Sequence, residues 1–360
     1  MKILFGVPDK THRELANLEI EGIKSFNVNC DTINYGPSQL KKNYLNKLIR
    51  TVKNAILIKK ALKSKEYDIL FLNTAFDPTA ILRDWITLLI LGDTTTKIFL
   101  KTHGTDLQLL SKLRAYQRLM FNYIIKKVQI MGVLSSEERN SFIQTGYPAN
   151  KILTVKNPIN PDLYRTNKTF RSTLNLDNST FIFIFCSRFI RTKGLLEVLE
   201  AFKIVLSTYK NIHLFCIGDG PEMPKAKNFI KEQFLNNHVT LTGFISEKQT
   251  RDFYSSADAL VFPTRHQEGF PMVVFQSLAA GICIITTRIR AAADYLKDPD
   301  NLLWVDPVNH QQIAESMMRL ISDKKLVQNM RDNNIIASQR FRTEKNAIEY
   351  INIFSRMVKD

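Results

Sequence analysis

Short apolar runs alternate with longer amphipathic stretches along the first part of the chain. Residues 2–7, 69–72, 97–101 and 130–134 read as buried strands with helix-like segments between them. That wiring predicts βαβ units and a parallel sheet. A polar stretch punctuated by Pro158 and Pro161 covers 157–178, and the alternation then starts again. Residues 181–186, 213–217, 259–262 and 282–286 are continuous, β-branched or aromatic, and bounded by Gly, Pro or polar residues, as strands buried on both faces are. They predict a second parallel sheet. From Gln311 onward the pattern is helical, and the last helix, over about 344–357, carries Ile348, Ile351, Ile353 and Phe354. No fixed-period repeat is present, so the halves share an architecture without being copies. The expected division is a Rossmann-like domain over 1–160, a second over 161–340, and a terminal helix over 341–360 placed so that it can pack back on the first. Ligands of such sheets sit at the carboxyl ends of the strands, so the substrates are expected in a cleft between the two domains.

Length agrees with two domains, since 360 residues exceed what one core usually takes. A hydrophobic fraction of 44% with 23% charged residues excludes a disordered or fibrous chain. Cys30, Cys186, Cys216 and Cys283 are scattered without a CxxC pair, so reduced, structural cysteines are expected. The apolar run before Gly6 and Pro8 is too short for a signal-peptide core, and no stretch reaches the roughly 20 apolar residues of a membrane span. A cytoplasmic protein, free or peripheral to a membrane, is the expectation. The formal charge of +16 points to phosphates, whether of nucleic acid, lipid or nucleotide.

Three segments narrow that choice. In 181–197, a strand runs into a loop with Arg188 and Lys193 and then a helix at Gly194, whose free amides favour an anion. The loop reads either as a diphosphate cradle or as a plain solvated basic turn. Gly218, Asp219 and Gly220 follow the next strand, where glycines permit close backbone approach to a ligand or simply turn the chain. In 259–281 a buried strand delivers Glu268, Gly269 and Phe270, and a helix is expected to start at about Pro271. The amides of Phe270, Met272 and Val273 would then face a ligand, with Gln276 eight residues, just over two turns, beyond Glu268.

Taken in order, the Arg188-x4-Lys193-Gly194 loop, the Gly218-Asp219-Gly220-Pro221 turn, the Thr242-Gly243-Phe244 step and the Glu268-Gly269-Phe270-Pro271 signature resemble the retaining glycosyltransferases of the GT-B fold. The family is the large group 1, or family 4, that includes sucrose synthases and many bacterial polysaccharide glycosyltransferases. The likeness is firm from Ile182 to about Asp323 and looser in the N-terminal half, through residues 101–106 and 133–137. It implies two Rossmann-like domains and transfer of a sugar from a UDP- or GDP-linked donor to a lipid-linked or cell-surface glycan. Arg188 and Lys193 would hold the diphosphate and neutralise the leaving group. Glu268 would touch the sugar hydroxyls, and His103 would face the transferred sugar. Gly218, Asp219, Gly220, Phe244, Gly269, Phe270, Pro271, Met272, Val273 and Gln276 would line the donor.

The chain departs from the pattern in three places. Gln276 replaces the family's second glutamate, the loop after the first strand has one glycine, and alanines 291–293 stand where glycines are common, with Asp294 in the acidic place. No metal or other cofactor is expected. Asp298-Pro299-Asp300 spells a DxD but lies in a polar turn, and the six histidines have no ligand spacing. Two other readings stay open, a catalytically silent nucleotide-binding subunit and a sugar-nucleotide epimerase. Nucleic acid is not an expected partner, since nothing resembles an RNA- or DNA-binding motif.

Residues 39–65 hold nine Lys or Arg and no acid. Leu45, Leu48, Ile49, Val52 and Ile56 share one helical face and are expected to pack on the sheet, leaving Lys42, Arg50 and Lys53 outward. Lys41, Lys42, Lys47, Arg50 and Lys53 form the expected membrane or acceptor face, at the inner side of the cell membrane.

Overall fold

The structure, a computed structural model, describes residues 1–8, 13–36, 44–105, 107, 112–165, 170–174 and 176–359. The chain forms two units, Met1–Pro158 with Thr343–Asp360, and Ile159–Arg342.

The first unit holds β1 (Lys2–Val7), β2 (Asn29–Asn34), β3 (Ile69–Thr74), β4 (Lys97–Thr102), β5 (Ile130–Val133) and β6 (Ile152–Thr154), all parallel. Their order is β2-β1-β3-β4-β5-β6, so the winding reverses between β1 and β3. Side chains alternate across the sheet. On one face Phe5, Phe71 and Phe99 stand side by side with ring centroids 4.8 and 5.1 Å apart. The helix Thr343–Lys359 covers this ladder with Tyr350, 5.6 Å from Phe71, and Phe354, 5.3 Å from Phe99. Beneath it the fully buried Lys101 pairs with Glu19 of the helix Glu14–Lys24, and Tyr350 donates to the same carboxylate at 3.4 Å. The terminal helix therefore belongs to the first unit.

The opposite face meets helices Tyr44–Ser64, Pro78–Leu91 and Ala115–Lys127 through Ile58, Ile81, Leu88 and Phe121, packed with Leu70, Leu72 and Leu100. The first of these helices corrects the sequence reading. Its buried stripe is Ala55 and Ile58, with Ala61 and Leu62 beside them, whereas Leu45 is 61% and Ile49 56% exposed and Leu48 and Ile56 also face outward. The helix is apolar on two faces, and sequence spacing alone does not say which one the sheet takes. Arg50 is half-buried, and Lys47 and Lys53 are exposed; Lys41 and Lys42 lie outside the described residues.

The second unit holds β7 (Phe181–Cys186), β8 (Ile212–Ile217), β9 (Val239–Gly243), β10 (Ala259–Phe262), β11 (Cys283–Thr286) and β12 (Leu303–Trp304), again parallel. The order β12-β11-β10-β7-β8-β9 places the reversal between β7 and β10. Aromatic and β-branched strands suit this sheet, because helices such as Leu195–Thr208, Met272–Ala280 and His310–Ser322 flank it. All four cysteines are free. Among the described residues no helix is long and apolar enough to cross a membrane.

Candidate active site

Where the winding of a doubly wound sheet reverses, the two loops leaving adjacent strands part and leave a crevice. In the second unit these are the loops after β7 and β10. The first carries Arg188, exposed and with no hydrogen bond from its guanidinium among the described residues while its carbonyl accepts from the Ile190 amide at 2.8 Å, then a short turn over Arg191–Lys193. Gly194 follows at φ 85° and caps the helix Leu195–Thr208. A Cβ there would lie 2.8 Å from the carbonyl oxygen of Pro263, so the glycine lets the two loops touch.

The two loops are bonded through Thr192. Its carbonyl accepts from the Arg265 amide at 2.9 Å, and its hydroxyl lies 3.1 Å from His266 Nδ1. From behind, Thr287 donates to the Thr264 carbonyl at 2.5 Å. The result joins two residues 75 positions apart, since Lys193 Nζ pairs with the Glu268 carboxylate and lies 5.5 Å from the Phe262 ring centroid. Lys193 is only 8% exposed in its side chain. Burial, then the Lys193 charge, push the His266 imidazole below its ordinary range, so it stays neutral near pH 7.

The loop after β8 joins them from the other side. Phe189 N–H donates to the Asp219 carbonyl at 2.8 Å, and Glu222 N–H to the Phe189 carbonyl at 2.9 Å. A Cβ on Gly218, whose φ is 135°, would stand 1.9 Å from the Ser187 carbonyl oxygen. The close approach these glycines permit is thus first an approach to their own neighbouring loop. Asp219 is exposed and caps the Gly220 amide at 2.7 Å. Beyond β9, Phe244 is 85% exposed and offers an open aromatic face beside the turn at Gly243.

Pro271 stands at the cap of the helix Met272–Ala280, which thus starts one position after the expected one, and the Val273 amide, in the first turn, has no partner among the described residues. Gly269 and Phe270 are buried. The Phe270 ring points inward, stacked at 3.8 Å on Phe275, which leaves its backbone as the part that can meet a ligand. Gln276 is half-buried, its carbonyl oxygen accepts from Tyr254 at 3.3 Å, and its side chain also bonds Tyr164, so two tyrosines hold it.

Arg290 is a residue the sequence reading passed over. It sits at φ 34°, is buried, donates to Gln267 at 2.9 Å, and leaves Nη1 buried without a partner. It braces the loop that carries Glu268. The available signal was a basic residue four positions after a buried strand. Among the described residues no group of three His, Cys, Asp or Glu converges as a metal site. Asp298 of the DxD-like turn accepts from the Trp304 amide at 2.8 Å and so serves β12.

In the first unit a cavity of about 310 Å³ lies at its own winding reversal, between the ends of β1 and β3. Pro8, Tyr35, Asn73, Thr74, Arg83 and His103 line it. His103 is exposed, and its amide donates to the Thr74 carbonyl at 2.9 Å. Crowding by surrounding atoms, then the charges of Lys101 and Arg83, hold the imidazole well below its ordinary range although solvent reaches the ring. Arg83 is fixed by Asp84 at 2.6 Å and by the Tyr35 ring at 4.4 Å, with Tyr35 also bonded to Asp84. Asn73 Oδ1 is buried at the cavity without a hydrogen-bond partner among the described residues. Asp106 and residues 9–12 lie outside the described residues.

Two parallel, doubly wound units, each with its candidate site at a winding reversal, make this a protein of the GT-B fold. Residues 166–337 match the family model for glycosyl transferases group 1. It is 31% identical over 165 residues to the capsular polysaccharide biosynthesis glycosyltransferase CapM of Staphylococcus aureus, covering 44% of this chain and 42% of that protein. It is 24% identical over 204 residues to the lipopolysaccharide 1,2-N-acetylglucosaminetransferase of Salmonella typhimurium, 53% of each. The matches thus span about half the length of these curated relatives. Among solved structures, HepE of Anabaena in complex with UDP and glucose aligns with a TM-score of 0.76 at 18% identity, covering 99% of both chains. A glycosyltransferase from Rickettsia africae aligns with a TM-score of 0.79 at 17% identity, covering 100% of this chain and 99% of that one.

Proposed function

We propose that the protein is a retaining, hexosyltransferase-type enzyme that moves a sugar from a nucleotide diphosphate carrier to a lipid-linked or cell-surface glycan. The observation that carries this reading is the meeting of Lys193 and Glu268, beside Arg188, at the winding reversal of the second unit. A cation and a carboxylate side by side suit a diphosphate and the hydroxyls of its sugar. In this reading Phe244 stacks on the base and the first-turn amides after Pro271, with Gln276, hold the sugar and ribose, which the open Phe244 ring and the helix start at Met272 support. UDP is the favoured carrier, since HepE was solved with it. As the C1–O bond breaks, its electron pair goes to the phosphate oxygen, where Arg188 and Lys193 stabilise it. The acceptor oxygen bonds C1 on the same face and its proton passes to that phosphate. The two cations carry this role without a metal or other cofactor. His103, neutral beside the first-unit cavity, serves the acceptor, and Asn73 Oδ1 is a buried acceptor suited to a sugar hydroxyl.

Calorimetric titration of UDP, GDP, ADP and CMP tests the donor site. UDP is expected to bind selectively, with its affinity cut at least thirty-fold in Arg188→Ala/Lys193→Ala. Failure of every nucleotide to bind would remove the donor assignment. A chain that binds UDP without ever turning over a UDP-sugar would be the silent subunit, and one that isomerises the donor alone the epimerase.

The enzyme works in the cytoplasm, docked at the inner face of the cell membrane by its first unit. Exposed Leu45, Leu48, Ile49 and Ile56 interleaved with Lys53, Lys60 and Lys63 support this, because anionic lipid attracts each nearby basic residue by about 1 kcal/mol. Co-sedimentation with phosphatidylglycerol vesicles is expected, and Leu45→Ser/Ile49→Ser should weaken it several-fold. Equal binding by that variant would exclude this face.

A further inference from the structure

The cavity at the reversal of the first unit adjoins a second of about 240 Å³, and the two share Gly36, Ala75 and Arg83. Lys47, Arg50, Thr51, Asp77 and Thr79 complete the wall of the second. We infer that this second cavity seats the phosphate or diphosphate group of a lipid-linked acceptor, an inference that rests on the reading above that the first unit holds the acceptor.

The wall offers donors of one kind. The Thr51 hydroxyl already donates to the Lys47 carbonyl at 3.0 Å, and the Thr79 hydroxyl to Asp77. The cations on the wall are Lys47, Arg50 and Arg83, with Arg50 Nη2 donating to the Gly36 carbonyl at 3.5 Å. Asp77 is the one acid on the wall, and its Oδ1 caps the helix Pro78–Leu91 through the amides of Thr79 and Ala80, at 2.8 and 2.9 Å. The Arg83 charge is met from behind by Asp84, and its guanidinium also donates to the Asn73 carbonyl at 2.9 Å, so it is held in place at the wall. Guanidinium and ammonium groups from two helices, converging without a neutral donor, select an anion with several oxygens. A sugar hydroxyl alone does not use them.

The helix that supplies Lys47 and Arg50 also says what the phosphate is attached to. Its opposite side exposes Leu45 and Ile49, and residues 39–65 contain no acid. An acceptor whose phosphate sits in the cavity can run its apolar chain along that outer face, with its first sugar in the larger cavity next door. Arg83 lines both and so marks the junction between phosphate and sugar.

The test titrates farnesyl diphosphate, inorganic pyrophosphate and farnesol into the full chain and into Lys47→Ala/Arg50→Ala, with UDP titrated into both. Exchange protection of residues 44–51 localises the bound diphosphate. Farnesyl diphosphate is expected to protect that segment and to bind at least ten-fold more weakly to the variant, with UDP affinity unchanged. Pyrophosphate binding ten-fold or more weaker than farnesyl diphosphate supports the lipid-linked source, whereas equal binding overturns the lipid and leaves a free-phosphate site. Equal farnesyl diphosphate affinity in both chains, or farnesol binding as tightly as the diphosphate, overturns the cavity assignment. Because UDP reads the second unit and farnesyl diphosphate the first, loss of one signal without the other tells failure of the donor reading from failure of this one.

Discussion

Replacing Lys193 by methionine is expected to leave a folded chain that turns over its donor roughly two to three orders of magnitude more slowly. The ammonium sits within contact of Glu268 and against the Phe262 ring, so little water competes with it for a departing phosphate. Methionine keeps the length and the packing of the stem and removes only the charge. Glu268, left without its partner, has some solvent access and can turn outward, so the stability cost should be a few degrees in Tm. Release of UDP from a panel of UDP-sugars is the measurement, with Glu268→Gln as the companion. That variant keeps the cation and should act through KM for the donor sugar more than through leaving-group departure. If Lys193→Met retains turnover within three-fold of the native chain, the cation is structural and the assignment fails.

A second large effect is expected at Gly218, through the backbone. Gly218→Ala brings a methyl group to 1.9 Å from the Ser187 carbonyl oxygen at a φ of 135°. Nothing flexible can give way, because that oxygen belongs to the loop bearing Arg188, which is tied to Asp219 and Glu222 by backbone hydrogen bonds. Strain and displacement together should cost about 3 to 5 kcal/mol, visible as a large fall in the urea midpoint, with UDP binding lost at the same time. The control is Asp219→Ala, at an exposed side chain in the same turn, which should change stability by less than about 1 kcal/mol. A native urea midpoint for Gly218→Ala would mean that the two loops do not approach as described.

Both effects depend on contacts of different legibility. The buried strands β1, β3, β4, β5, β7, β8, β10 and β11 show in the sequence because they are continuous apolar runs. β2 and β12 do not: Asn29–Asn34 alternates polar with apolar at the sheet edge, and Leu303–Trp304 is two residues long. β6 and β9 are also edge strands, β6 being three residues long and β9 alternating valine and leucine with threonine. Arg188, Lys193 and Glu268 could be named from their motifs, yet the ion pair joining two of them is a product of strand order, which places β7 beside β10. The helix Tyr44–Ser64 was misjudged for a related reason. With apolar residues on both sides, its buried face is chosen by what the sheet and the helix Pro78–Leu91 present to Ala55 and Ile58. Arg83 was invisible as a site residue, because Tyr35 and Asp84, which hold it, come together only through tertiary packing.

The covering of Phe71 and Phe99 by Tyr350 and Phe354 also bears on the order in which the molecule is made. Every strand of the second unit leaves the ribosome before the residues that seal the aromatic ladder of the first. During synthesis the later unit can close around its own core while the earlier one still shows a strip of phenylalanines. For that interval the half of the protein translated first is the half that finishes last, and it is the half a chaperone would hold.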